Sequence, residues 1–384
     1  MLLKSNEIKL IFPLFSEPHT IQQKIFQVKG TRTRRIRAKS VVDRPRRPSY
    51  HACFAAGSPS IPVNIDNLRS VIDADMRAVD NVIREKLYSE VALIRKISDY
   101  IILSGGKRLR PALVLLSAGA FGYQGRAHHE LAALVEFIHT ATLLHDDVVD
   151  ESQMRRGKET ANALFGNAAS VLVGDFLYSR AFQMMVSVGS MRVMEILSEA
   201  TNVIAEGEVL QLMNVHDADI DEENYLRVVR YKTAKLFEAA TRLGAVISHA
   251  SKIDEDAMAS YGIHLGTAFQ LIDDVLDYSG DQDEMGKNIG DDLAEGKPTL
   301  PLIYAMRMGS KNHADVVRHA IEQGGLADLA GVAEAITATG ALDYARGQAR
   351  YEASVATAAI AHLPNSIHKD CLLQLCEFAV ARNF

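Results

Sequence analysis

From about residue 63 to its C-terminus, this 384-residue chain is patterned for helices and for little else. Leu131, Leu134, Val135 and Ile138 follow the three-and-four spacing of a buried helix face. Ala- and Leu-rich stretches recur near 160–188, 192–213, 224–250 and 255–280, and after a glycine-rich loop at 299–307, 312–323 and 326–383. No segment sustains the apolar–polar alternation of a half-buried strand, so no sheet is expected. Loops are short and marked by Gly or Pro, as in Ser104-Gly105-Gly106 and Gly296-Lys297-Pro298. No apolar run reaches the roughly 18–20 residues that span a bilayer. The expectation is one all-α domain over 63–384, a helical bundle around a central cavity whose sites are built from facing helices.

Residues 1–62 differ from everything after them. They carry twelve Lys and Arg against Glu7, Glu17 and Asp43, although the whole chain has a net charge of −6. The runs Thr31-Arg32-Thr33-Arg34-Arg35-Ile36-Arg37 and Arg44-Pro45-Arg46-Arg47-Pro48 bury too little apolar surface to order themselves. An organellar transit segment has this Arg-rich, acid-poor composition. A flexible basic tail, or a start codon read too far upstream, explains it equally well. The acidic remainder argues against nucleic-acid binding. Cys53, Cys371 and Cys376 fit neither a disulfide framework nor a zinc pattern, which leaves buried thiols in a reducing cytosol.

Two copies of one acidic pattern interrupt the apolar helices. The first is Asp146-Asp147-Val148-Val149-Asp150 and the second Asp273-Asp274-Val275-Leu276-Asp277. Residues i and i+4 share a helix face, so Asp146 pairs with Asp150 and Asp273 with Asp277. Like charges so placed destabilise a helix unless a cation lies between them. Hard oxygen ligands in small groups suit Mg²⁺, which is commonly shared with a substrate phosphate. A single such motif reads first as solvated surface; two, with the basic motifs beside them, read as a diphosphate site.

Gly105-Gly106-Lys107-Arg108-Leu109-Arg110-Pro111 lets the backbone approach an anion and supplies charge and bidentate donors. It is not a Walker loop, because no Gly-Lys-Ser/Thr follows at the required spacing. His139 stands two helical turns before Asp146, on the same face, either as a core histidine or as an anion donor. Arg155 and Arg156 follow the first acidic motif, where they either form salt bridges or clamp phosphate. Lys232-Thr233 lies in a helical stretch, and Gln270 shares a face with Asp273 and Asp277. Lys287 and Lys297 flank Asn288-Ile289-Gly290-Asp291-Asp292, a loop able to close over the second cluster.

Together these motifs resemble the trans-isoprenyl diphosphate synthases, and most closely the bacterial long-chain, octaprenyl-type enzymes of quinone side-chain synthesis. The resemblance runs from near Val63 to the C-terminus and extends through Gly-Lys-Asn-Ile-Gly-Asp-Asp-Leu-Ala-Glu-Gly-Lys-Pro-Thr-Leu-Pro. It implies the isoprenoid-synthase helical bundle, with the two Asp-rich motifs on facing helices. It assigns Lys107, Arg110, His139 and Arg156 to the diphosphate of isopentenyl diphosphate. Asp146 and Asp150, helped by Asp147, would hold Mg²⁺ on the allylic diphosphate, with Asp273 and Asp277 on the opposite wall and Asp274 beside them. Arg155, Lys232, Thr233 and Gln270 would contact the allylic substrate. Two or three Mg²⁺ ions per site, a homodimer, a farnesyl primer and a cytoplasmic location (mitochondrial if the basic segment is a transit peptide) are further implications.

The expected reaction ionises an allylic C–O bond against fixed cations and metal, in a dry cavity where water cannot quench the cation. The product, about eight isoprene units long and membrane-partitioning, needs an apolar tunnel. Thr142 sits one turn before Asp146, and the resemblance places Ala141 beside the same path. Phe182 and Met185 are the candidates for the tunnel floor. A terpene cyclase would share the fold and metal chemistry but would not need Lys107, Arg110 and Arg156. A regulatory subunit would not need both acidic motifs intact.

Overall fold

The computed structural model describes residues 65–103, 106–155, 157–279 and 290–382. The basic segment 1–62 and its boundary lie outside the described residues, as do Cys53, Gly105, Arg156 and Lys287. Helices α1 (Ile65–Lys86), α2 (Ala92–Leu103), α3 (Leu109–Ala120) and α4 (Ala127–Val149) lead into a hairpin of β1 (Met154–Arg155) and β2 (Lys158–Glu159). Next come α5 (Ala161–Phe165), α6 (Asn167–Val188), α7 (Met191–Asn214) and α8 (Glu222–Val229). A π turn at Arg230–Ala234 joins α8 to α9 (Lys235–Ile247), and α10 (Lys252–Ser279) follows. The described chain ends through α11 (Asp291–Ala294), α12 (Leu300–Met308), α13 (Lys311–Gln323), α14 (Leu329–Thr339), α15 (Ala341–Ala359) and α16 (Ile367–Ala381).

Side-chain caps explain several helix starts. Thr160, Ser190, Asp221, Ser310 and Ser366 each accept from a backbone N–H three residues on, satisfying a donor that a helix N-terminus leaves free. Helix α9 is the hub, packed by α3, α4, α7 and α10. Leu236, Phe237, Ala239, Ala240, Leu243 and Ala245 are all buried, so it is apolar nearly all round. Its two buried cations are paired: Lys235 Nζ donates to Glu199 at 2.8 Å, and Arg242 to Glu255 at 2.8 Å. Leu131, Leu134 and Ile138 of α4 are fully buried in the same core cluster as the apolar residues of α9. Truncating one of them to Ala would cost about 2–5 kcal/mol. Cys371 and Cys376 are free and buried, as their spacing suggested.

Two features depart from the sequence expectation. The hairpin, with Met154 opposite Glu159 and Arg155 opposite Lys158, is a small sheet where none was expected. Strands of two residues are too short for alternation to show. The stretch 224–250 is not one helix but α8, the π turn and α9. A π turn adds a residue to the helical circuit and is common at functional sites. Two glycines let backbone press against it. A Cβ at Gly207 of α7 would stand 2.6 Å from Lys232 N, and one at Gly266 of α10 would stand 2.7 Å from Ala234 Cα.

Candidate active site

A cavity of about 780 Å³ is lined by Asp146 and Asp150 from the C-terminal end of α4, and by Asp273, Asp274 and Asp277 from α10. Asp146 lies in the last turn of α4 and Asp277 in the last turn of α10, each facing the negative end of its helix dipole, so both clusters call for outside cations. Lys232 Nζ lies 3.4 Å from Asp146, Lys297 Nζ 3.1 Å from Asp150, and the Arg382 guanidinium 2.7 Å from Asp273. Asp277 accepts from the backbone N–H of Asp291 at 3.2 Å and of Asp292 at 3.3 Å, where α11 begins. The sequence pairs Asp146/Asp150 and Asp273/Asp277 are therefore brought to one space.

The middle carboxylate of each motif behaves differently. Asp147 is buried, does not line the cavity, and accepts from Arg155 Nε at 2.8 Å. Burial pushes its carboxyl up while Arg155 pulls against that shift. The side chain thus meets Arg155, while Asp146 and Asp150 of the same motif face the cavity. Asp274 reaches the cavity wall, but both oxygens are engaged, one by Gln270 Nε2 at 2.8 Å and the other by the Tyr225 hydroxyl. Burial, then Asp292, drives its carboxyl up to about 7 despite those donors.

Of the basic candidates, Lys107, Arg110, Arg155, Lys232 and Lys297 all line the cavity. Arg110 Nη1 lies 3.0 Å from His139 Nε2, and its guanidinium covers the Phe237 ring at 4.8 Å. Arginine has no acceptor, so His139 Nε2 accepts here. The imidazole orients Arg110 rather than presenting that nitrogen to an anion. Lys107 Nζ sits 5.5 Å over the Phe378 ring. Thr233 Oγ1 donates to Gln270 Oε1 at 3.0 Å, which links the π turn to α10 and on to Asp274. Burial pulls the Lys297 ammonium down, but Asp150, Asp292 and Glu295 outweigh it and hold it well above the usual lysine range. Lys232 is likewise raised, because Asp146 and Glu208 overcome its burial.

The chain-length candidates divide. Thr142 lines the cavity and donates to the His139 carbonyl at 2.8 Å. Ala141 is fully buried in the main core and off the cavity lining. Phe182 is 44% exposed on α6, and Met185 is buried in that core, so neither lines the cavity. Met185 thus lies in the packed core and Phe182 on a partly exposed face of α6. The two stand one turn apart on α6, and sequence spacing does not show that one is exposed and the other buried.

Several lining residues escaped the sequence reading: Glu208, Gln211, Tyr225, Glu295 and Arg382. Glu208 Oε2 lies 2.6 Å from Lys232 Nζ. Burial is the main cause that takes its carboxyl up to about 7, with Lys232 opposing and Asp146 adding to the shift. Arg382 is almost wholly buried, its guanidinium 3.6 Å from the Phe269 ring centroid. An isolated Arg near a C-terminus and a Glu on a helix offer no pattern, and only the folding of α7 and α16 against the cavity reveals them.

An all-helical bundle with carboxylates from two helices and fixed cations around one cavity defines a diphosphate-handling synthase of the isoprenoid class. The chain belongs to the polyprenyl synthetase family, whose pattern matches residues 91–338. It is 55% identical over 322 residues to the octaprenyl diphosphate synthase of Escherichia coli, covering 84% of this chain and 100% of that protein. It is 45% identical over 309 residues to a geranyl-diphosphate-specific all-trans-nonaprenyl-diphosphate synthase of Rhodobacter capsulatus, covering 80% of this chain and 95% of the relative. A crystal structure of a polyprenyl synthase from Caulobacter crescentus, complexed with calcium and isoprenyl diphosphate, superposes with a TM-score of 0.81 at 45% identity. That alignment covers 85% of this chain and 100% of the other. The protein is accordingly a prenyltransferase that makes trans-polyprenyl diphosphates. The family is Mg²⁺-dependent in general. No helix among the described residues is long and apolar enough to cross a membrane.

Proposed function

We propose that this enzyme adds isopentenyl diphosphate repeatedly to an allylic primer, farnesyl diphosphate, and stops near the octaprenyl length, for quinone side chains. The observation that carries this reading is the charge layout of one cavity. Two carboxylate pairs sit beside Lys232, Lys297 and Arg382, and Lys107 and Arg110 provide a further cationic set for a second diphosphate. The 55% identity to an octaprenyl synthase supports the product length.

The end carboxylates Asp146, Asp150, Asp273 and Asp277 fit Mg²⁺, being hard oxygen donors paired one helical turn apart. Two or three such ions, when bound, would neutralise the allylic diphosphate as a leaving group. Lys232 and Lys297 hold positive charge against Asp146 and Asp150 and turn to the diphosphate as charge builds on it. Thr233 and Gln270 position the allylic substrate, Lys287 and Arg156 complete the cationic set, and Arg110, held by His139, grips isopentenyl diphosphate. The allylic C–O bond breaks, the isopentenyl double bond attacks the cation, and the departing diphosphate takes the proton lost from the new chain. Phe237, Phe269 and Leu236 line the cavity and keep water from the cation.

A homodimer belongs to this proposal. Leu172, Phe182 and Val186 on α6, with Met191, Val209 and Met213 on α7, leave large apolar side chains exposed, up to 69% at Met191. Exposed large apolar side chains on two successive helices are the surface that an association face would cover. The bacterial relatives support a cytoplasmic site and give the mitochondrial alternative no support. Incubating the purified chain with labelled isopentenyl diphosphate, farnesyl diphosphate and Mg²⁺, then weighing the product, tests the reading. A product near eight units supports it. A cyclic hydrocarbon, or no elongation, refutes it.

A further inference from the structure

At the end of α4 remote from the acidic cluster, three ligand-type side chains from two helices converge. Asp75 of α1 reaches His129 Nε2 at 2.8 Å and His128 Nε2 at 3.5 Å, through the same Oδ1. Successive helix positions diverge by about 100°, yet these two imidazoles lie with ring centroids 3.9 Å apart and 36° between their planes. The three donor atoms all fall within 4.8 Å of one another. His128 is buried, and its Nδ1 has no hydrogen-bond partner. A helix N-terminus by itself repels cations, and Asp75 supplies the negative charge that offsets this. None of these residues lines the cavity or enters the proposed reaction.

We propose that Asp75, His128 and His129 form a binding site for a zinc-class transition-metal dication, and that the ion staples α1 to α4. Two imidazoles and one carboxylate are the donor set that such ions take in preference to Mg²⁺. In a tetrahedral site with bonds near 2.1 Å, donor atoms stand about 3.4 Å apart. The His128–Asp75 separation of 3.5 Å already matches that edge, and the His129 hydrogen bond at 2.8 Å must open by a few tenths of an ångström. Asp75 keeps 40% of its side chain exposed, so a water can take the fourth position. Eighteen residues of helix separate His128 from Asp146, about 27 Å at 1.5 Å per residue. The ion therefore acts on the fold and takes no part in the chemistry.

The test uses the full chain, stripped with a chelator and returned to millimolar Mg²⁺ so that the acidic clusters do not report. Zn²⁺ and Co²⁺ are then titrated by calorimetry, by visible absorption and by thermal unfolding. The site predicts one ion bound per chain, the intense visible bands of tetrahedral Co²⁺, and a rise in Tm with Zn²⁺. His129→Gln should fold and turn over substrate normally, because the imidazole is peripheral to the core and far from the cavity. It should weaken Zn²⁺ at least tenfold, since even outer partners of a metal ligand are worth 10–100-fold, and Asp75→Asn should do the same. No Zn²⁺-dependent rise in Tm in the wild type, or an affinity unchanged in His129→Gln and Asp75→Asn, overturns the proposal.

Discussion

Replacing Arg155 with Ala separates framework from metal ligand within the first acidic motif. Arg155 reaches a single Asp147 oxygen through Nε at 2.8 Å and through a terminal nitrogen at 2.7 Å. The Asp147 side chain is 4% exposed and the Arg155 side chain 34%. Removing one partner of a fully buried pair costs about 3–5 kcal/mol. Solvent screening at the exposed side of Arg155 lowers the expected loss to about 2–3 kcal/mol. The reverse change, Asp147→Asn, leaves the guanidinium with access to water and should cost only about 1 kcal/mol. The order is the decisive quantity, because stranding a carboxylate in the interior is worse than freeing a cation near the surface. Urea unfolding followed by circular dichroism measures it, with midpoints and slopes compared among the three proteins. Equal losses would defeat the argument. So would an Asp147→Asn variant of normal stability whose Mg²⁺ requirement rises many-fold, since that would put Asp147 among the metal ligands.

Chelation of Mg²⁺ should abolish turnover while leaving the far-ultraviolet circular dichroism unchanged, because the core does not depend on the acidic clusters. Thr142→Phe should shorten the product to roughly three or four units, since a packed interior does not absorb a large intrusion beside the growing chain; product mass checks it. Ala141→Phe, buried off the cavity, should instead show its effect as a stability loss of about 1–3 kcal/mol in a melting curve. A chain beginning near Val63 should fold and retain activity, as measured by solubility and specific rate, because every residue of the proposed site lies after Val63. Burial raises Glu255, but Arg192 and Arg242 outweigh it and hold the carboxyl below the usual glutamate value of 4.5. That contribution to stability is present above 4.5 and is lost as pH falls through the depressed value. The acid-side fall in Tm should therefore be shallower in Arg242→Ala.

The all-α class and the two acidic pairs were legible because both rest on helical period, which apolar spacing and i,i+4 carboxylates display directly. The hairpin at Met154–Glu159 was invisible because two-residue strands have no period. The π turn was hidden for a related reason: Arg230–Ala234 keeps helical composition and changes only the circuit, which Gly207 and Gly266 permit by their lack of a side chain. The separate surroundings of Asp147 and Asp274 were not legible, because their burial against Arg155, Tyr225 and Gln270 is a tertiary fact. The exposure of Phe182 was not legible either, because that face of α6 resembles a core face in sequence. Arg382 and Glu208 had no local signal at all; chain folding brings them to the cavity from α16 and α7.

The central claim is that carboxylates of α4 and α10 act as one metal–diphosphate site. It is tested most directly by kcat for Asp146→Ala and Asp273→Ala, assayed separately at saturating Mg²⁺ with helicity checked in parallel. The two-wall site predicts that each variant stays folded and loses orders of magnitude in kcat, more than the about 2.7–4 kcal/mol of one lost stabilising donor. A near-normal kcat in either variant would contradict it.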